Sequence, residues 1–182
     1  MSQPRISWDT YFMSIAVLSG MRSPDPSTQV GAVIVDRDKV IQSVGYNGWP
    51  RGIEAFADDD PRWNRPEKYF WMSHAEENAI LNAGRIGVKL EGCSLYVPIH
   101  PCAGCARMIL QVGITEVIVS GKISGLFAEH MRGDQKWIEG VEHAKQMFLE
   151  KGITTRVLED EYMPGFSLRL CGTLHHLNAP AE

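Results

Sequence analysis

Two short motifs constrain this chain more than anything else in it: His74-Ala75-Glu76, and downstream Pro101-Cys102-Ala103-Gly104-Cys105. His74 falls at the start of one helical segment, and Cys102 and Cys105 straddle the start of another. Two side chains three apart at a helix start share a face, close enough to grip one ion. If the imidazole joins them, the fold must bring two helix starts to a single point. A helix N-terminus favours negative charge and lowers thiol pKa, so both cysteines suit metal binding as thiolates. Pro101 fixes the backbone leading into the second helix, where a missing N–H costs little.

One imidazole and two thiolates fill three positions of a tetrahedral zinc ion and leave the fourth for water, which separates catalytic zinc sites from structural ones. Glu76 is not needed as a ligand and stands where it can take a proton from that water. Burial in a dry pocket raises a carboxylate's pKa, which suits a proton shuttle. The competing reading is a closed zinc knuckle, which needs a fourth donor. Cys93 sits in a strand-like run where a buried apolar role is commoner, and Cys171 is the other remaining cysteine. His100 is a spare ligand or a wall of the site. A knuckle gives Glu76 no purpose, so the open site is favoured.

The hydrophobic pattern supplies the frame. Apolar residues at helical spacing (Trp8, Phe12, Ile15, Ala16) predict a helix over 8–21, and 22–28 is a loop by composition. β-rich runs over 30–35 and 39–44, separated by Asp36-Arg37-Asp38, predict a hairpin. Residues 46–69 form a long irregular stretch of the kind that is usually functional. Further helices are expected over 75–86, 103–112 and 135–151, and strands over 93–98, 116–120 and 154–158. This alternation implies crossovers and parallel pairing added to the antiparallel hairpin. The expected fold is α/β, a three-layer αβα sandwich around a mixed five-stranded sheet, in one domain over residues 1–182. Residues 160–182 are a C-terminal extension to which no role is assigned, His175 and His176 included.

Charge and cysteine usage narrow the class. A net charge of −4, with no basic run, argues against nucleic acid as a partner. No apolar stretch approaches the length of a membrane span or a secretory leader, and the cysteines read as reduced thiols, so a cytoplasmic protein is expected.

Beyond the two motifs, the chain resembles the deoxycytidylate deaminase family, within the cytidine deaminase-like superfamily. The likeness rests on Asp25-Pro26-Ser27-Thr28-Gln29-Val30-Gly31-Ala32, Gly45-Tyr46-Asn47-Gly48-Trp49-Pro50, His74-Ala75-Glu76-Glu77-Asn78-Ala79-Ile80 and Gly92-Cys93-Ser94-Leu95-Tyr96-Val97. Gln111-Val112-Gly113-Ile114 extends it, and it fades after Val119. The zinc pattern itself, His-x-Glu with Pro-Cys-x-x-Cys, is the known signature of zinc-dependent base deaminases. The resemblance implies hydrolytic deamination of a cytosine deoxynucleotide, dCMP to dUMP plus ammonia. It gives His74, Cys102 and Cys105 to Zn2+, Glu76 to catalysis, and Asn47 and Ala75 to the substrate. A phosphate needs Arg or Lys, and Arg22 is the first candidate, with Arg51 and Arg85 as alternatives.

The resemblance further implies a homo-oligomer, hexamer or dimer, with a triphosphate nucleotide effector near Tyr46, Gly48 and Arg85, and Mg2+ accompanying that effector. One departure is Glu77, where relatives carry an uncharged residue; it is expected to face solvent or to pair with an arginine. Asp58-Asp59-Asp60 is expected to be a solvated acidic loop. The alternatives are a deaminase of another aminated nucleotide or of a base in RNA, and a zinc-containing nucleotide-binding protein without turnover. Intact Glu76 stands against the last.

Overall fold

The computed structural model describes residues 5–53, 57, 60–159 and 166–177. The first helix, α1 (Trp8–Gly20), starts where the Ser7 hydroxyl accepts a hydrogen bond from the Thr10 amide at 3.0 Å. Its buried side chains, Phe12, Met13 and Ala16, pack on Val33 and Val35 of β1 (Gly31–Val35) and on Tyr96 of β3 (Ser94–Val97). The alternate β1 residues, Ala32 and Ile34, point into a second cluster on the opposite face. Both faces of β1 are therefore covered, and every residue in it is buried.

The sheet runs β2-β1-β3-β4-β5, with β2 (Ile41–Tyr46), β4 (Glu116–Ser120) and β5 (Thr154–Leu158) completing it. The β1–β2 and β1–β3 pairs are antiparallel, and β3–β4–β5 are parallel. Helices α3 (Ala75–Arg85), α4 (Ala103–Gln111) and α6 (Gln135–Lys151) cover the face opposite α1. This is the three-layer αβα sandwich with a mixed five-stranded sheet that the pattern predicts. Because β1 is antiparallel to β3, the start of β1 and the end of β2 lie beside the C-terminal end of β3. The functional residues gather at that end.

Several elements depart from the sequence reading. The second strand begins at Ile41, not at residue 39, because Lys39 occupies the turn with φ 67°. The 46–69 stretch contains a 3-10 turn (Pro61–Trp63) and leads into a short helix, α2 (Lys68–Trp71). Helix α5 (Gly121–His130) follows β4 directly. The C-terminal extension holds a hairpin, β6 (Phe166–Leu170) and β7 (Thr173–Leu177). Its Leu170 is fully buried against Val17, Ile99, Ile123, Phe127 and Met131. Among the described residues, no helix is long and apolar enough to cross a membrane.

Candidate metal centre and pocket

The two helix starts converge. His74 is the N-cap of α3 and Cys102 the N-cap of α4, both with extended backbone (ψ 163° and 169°). Cys105 is the third residue of α4, so its side chain turns back toward the cap position and meets Cys102. The His74 Nδ1 lies 3.6 Å from Cys102 Sγ and 3.4 Å from Cys105 Sγ. Zinc bond lengths of about 2.3 Å to sulfur and about 2.0–2.1 Å to nitrogen, at a tetrahedral angle, place N and S roughly 3.6 Å apart. The two imidazole–sulfur spacings thus suit a tetrahedral zinc ion, and all three donors lie within 4.8 Å of one another. Among the described residues this is the one cluster of three such donors.

The donors also share charge strongly. The Cys105 thiol hydrogen-bonds the Cys102 sulfur, which with help from His74 pulls the Cys102 pKa down to about 3. The Cys102 thiolate in turn lifts His74 to about 9, and Cys102 with burial pushes the Cys105 thiol up. A bound dication displaces protons held this way. Glu76, in the first turn of α3, is 5% exposed, and burial raises its pKa against the opposing charge of His74.

What aims α3 is the close approach of β2. A Cβ on Gly45 would lie 2.3 Å from the Ala79 nitrogen and 2.4 Å from the Ala75 oxygen, so only glycine fits. Asn78 and Asn82 on α3 donate to the Tyr46 and Val44 carbonyls at 2.8 and 2.9 Å, filling acceptors along the sheet edge. Glu77 accepts from the His74 amide at 3.3 Å and so caps the helix that carries the metal ligand. Glu77 stays half exposed, and the extra acid also serves the helix start.

The pocket beside the donors is lined by His74, Ala75, Glu76 and Asn47, with His100, Ile99, Phe127 and Trp137 forming a wall. His100 is thus a wall residue outside the donor cluster, its pKa lowered first by burial and then by Lys145. Cys93 is buried, as its strand context predicts, and all four cysteines are free. Asn47 is 8% exposed; its amide donates to Asp25 and to the Thr28 carbonyl, and its oxygen accepts from the Val30 amide at 2.8 Å. These bonds hold Asn47 in place among the residues that line the pocket.

The Gly-Tyr-Asn-Gly segment divides between two depressions where the chain leaves β2. Asn47 faces this pocket, whereas Tyr46 and Gly48 line a second depression with Arg22, Arg51, Trp49, Asn78 and Asn82. Arg22 therefore does not line the pocket that holds Glu76, because it follows the end of α1 into that other depression. Arg85 sits at the far end of the 11-residue α3 from His74, roughly 15 Å away at ~1.5 Å per residue. Asp60 is turned back onto Arg62 at 2.7 Å, and Asp58 and Asp59 lie outside the described residues.

Sequence reasoning missed Arg65 and Lys68, both of which line the pocket. Lys68 is almost fully buried and pairs with Asp25, which also accepts from Ser27, Thr28 and Asn47. The pairing of Asp25 and Lys68, distant in the chain, had no periodic signal to betray it.

A family model of the cytidine and deoxycytidylate deaminase zinc-binding region matches residues 6–121. The chain belongs to that family. It is 47% identical over 119 residues to deoxycytidylate deaminase of Mus musculus, a match covering 62% of this chain and 64% of that one. A probable deoxycytidylate deaminase of Drosophila melanogaster is 38% identical over 164 residues, covering 82% of this chain and 77% of the other. The chain spans less than two thirds of the length of the mammalian relatives it matches. Among solved structures, dCMP deaminase from the cyanophage S-TIM5 in complex with dCMP and dUMP superposes with a TM-score of 0.59. It is 20% identical and covers 86% of this chain and 100% of its own. At that identity the likeness shows the fold alone.

Proposed function

We propose that this chain is a zinc-dependent hydrolase that deaminates dCMP to dUMP and ammonia. The observation that carries the reading is a buried carboxyl, Glu76, set beside three donors spaced for tetrahedral zinc at the base of a pocket. The relatives named deoxycytidylate deaminase support the choice of substrate.

In this reading His74, Cys102 and Cys105 hold the ion, which when bound supplies Lewis acidity that makes water a nucleophile at neutral pH. Glu76 accepts a proton from the attacking water and delivers it to the ring nitrogen next to the amine-bearing carbon. It then takes the hydroxyl proton of the saturated carbon and passes it to the amine, which departs as ammonia. Its raised pKa brings the carboxyl nearer to the balance that both transfers need. Asn47 forms the wall that meets the sugar or base, Ala75 closes the floor, and Ile99 and Phe127 keep water from the ring. The second depression, with Arg22, Tyr46, Gly48 and Arg51, is assigned to a nucleotide effector accompanied by Mg2+. The reading includes a cytoplasmic homo-oligomer, checked by light scattering.

The test is ammonia release from a panel of aminated nucleosides, nucleotides and short RNAs. Turnover centred on dCMP upholds the reading. Turnover of RNA alone, or tight nucleotide binding without turnover, overturns it.

A further inference from the structure

One arginine and one lysine line the pocket, and their surroundings differ. Lys68 is committed: its Nζ pairs with Asp25 and bonds the Ser27 hydroxyl at 2.7 Å, with only 9% of its side chain exposed. Arg65 is not. Among the described residues it has no carboxylate partner, and its Nη1 touches only the Met131 thioether sulfur at 3.6 Å. Its guanidinium lies over the Tyr69 ring, 5.7 Å from the centroid. Five N–H donors are thus held at the pocket mouth against an aromatic ring and a thioether, neither of which neutralises them.

The other arginines near the site do not line this pocket. Arg22 and Arg51 line the second depression, and Arg107, with Glu77, lines an adjoining groove that reaches His74, Cys102 and Cys105 from the α4 side. A nucleotide whose ring sits against Glu76 and Phe127 extends its 5′ end toward the rim. There it needs a planar donor without a competing carboxylate.

We propose that Arg65 is the specificity-determining residue that reads the phosphate of a nucleoside monophosphate in this pocket. The proposal rests on the nucleotide-deaminase reading above and deepens it. A monophosphate places its dianion on the Arg65 fork, while a nucleoside leaves the fork in water, so Arg65 separates the two substrates without touching the reacting carbon.

The experiment uses zinc-containing protein with Arg65→Ala and Arg65→Lys. Binding of dUMP and deoxyuridine is measured by calorimetry, and turnover of dCMP and deoxycytidine by ammonia release. Arg65→Ala is expected to weaken dUMP binding about 10–100-fold, as befits hydrogen bonds to a charged group, and to leave deoxyuridine binding unchanged. The KM for dCMP should rise by a similar factor with kcat nearly constant, and Arg65→Lys should fall between. Equal losses for nucleotide and nucleoside, or unchanged dUMP binding, overturn the proposal. If wild-type protein releases no ammonia from dCMP yet loses dUMP selectively in Arg65→Ala, the deaminase reading falls and Arg65 stands.

Discussion

Gly48 and Ser73 exchange a pair of backbone hydrogen bonds, Gly48 N–H to Ser73 oxygen at 3.1 Å and Ser73 N–H to Gly48 oxygen at 2.9 Å. This isolated bridge ties the segment that carries Asn47 to the residue immediately before His74. Pocket wall and candidate metal ligand are therefore set by one piece of backbone pairing. Together with the Gly45 contact it fixes the start of α3 against the end of β2.

Gly45→Ala should disturb that arrangement. Its new methyl would meet α3 backbone at 2.3 and 2.4 Å, and backbone yields less readily than a flexible side chain. The expected cost is about 1–3 kcal/mol, as for other overpacked contacts. Chemical denaturation gives the stability, and zinc content per chain shows whether His74 has moved out of reach.

Glu76→Gln keeps the shape of the carboxyl and removes the proton shuttle. Zinc content should remain, and kcat should fall on the order of 10²–10⁴-fold with little change in KM. Undiminished turnover in a zinc-loaded variant would remove Glu76 from the chemistry.

The Asp25–Lys68 pair should respond asymmetrically. Lys68→Met leaves a buried carboxylate, 1% exposed at its side chain, without its cation and should cost about 3–5 kcal/mol. Adding Asp25→Asn should recover part of that loss, because the remaining amide needs no counter-charge. Denaturation midpoints of the two single variants and the double variant measure the coupling.

A pH prediction comes from the far end of the sheet. Asp9 on α1 accepts from Arg156 of β5 at 2.8 and 2.9 Å and from the Tyr96 hydroxyl at 2.7 Å. The Arg156 hydrogen bonds, with Tyr96 behind them, hold its carboxyl below the usual range. A lowered folded pKa gives stability that is present above the unfolded value and lost as pH falls through the folded one. Asp9→Asn should therefore cost roughly 1 kcal/mol at neutral pH, a small figure because the pair is partly open to solvent. The difference from wild type should shrink below about pH 4 and vanish in stronger acid.

How far the sequence reading reached follows from which signals are local. Helix α6 matches its expected span, 135–151, because its caps are written in the chain: Asp134 accepts from the Trp137 amide, and Gly152 ends the helix at φ 74°. Strands β4 and β5 match for a similar reason, being short β-branched runs between breakers. Helix α5 escaped notice because Gly121 and Gly125 weaken its propensity and only Ile123 and Phe127 are buried. The hairpin β6–β7 was hidden by its turn, where Cys171 occupies φ 47° before Gly172, a position more often held by Asn or Gly.

The site divides in the same way. His74, Cys102, Cys105 and Glu76 are legible because each is fixed by its place in a helix start. Arg65 and Lys68 reach the pocket through the irregular 46–69 stretch, where spacing carries no register. Arg22 is a phosphate candidate by proximity in sequence, but with Tyr46 and Gly48 it lines the depression on the other side of Asn47.

His74, Cys102 and Cys105 are expected to hold one ion, with a position left for water beside Glu76. X-ray absorption at the zinc edge, on purified protein of measured zinc content, addresses it directly. The expected result is one zinc per chain with two sulfur neighbours at about 2.3 Å and two nitrogen or oxygen neighbours at about 2.0–2.2 Å, one of which exchanges on adding dUMP. A third sulfur in the shell, a second histidine that no ligand displaces, or no stoichiometric zinc would contradict it.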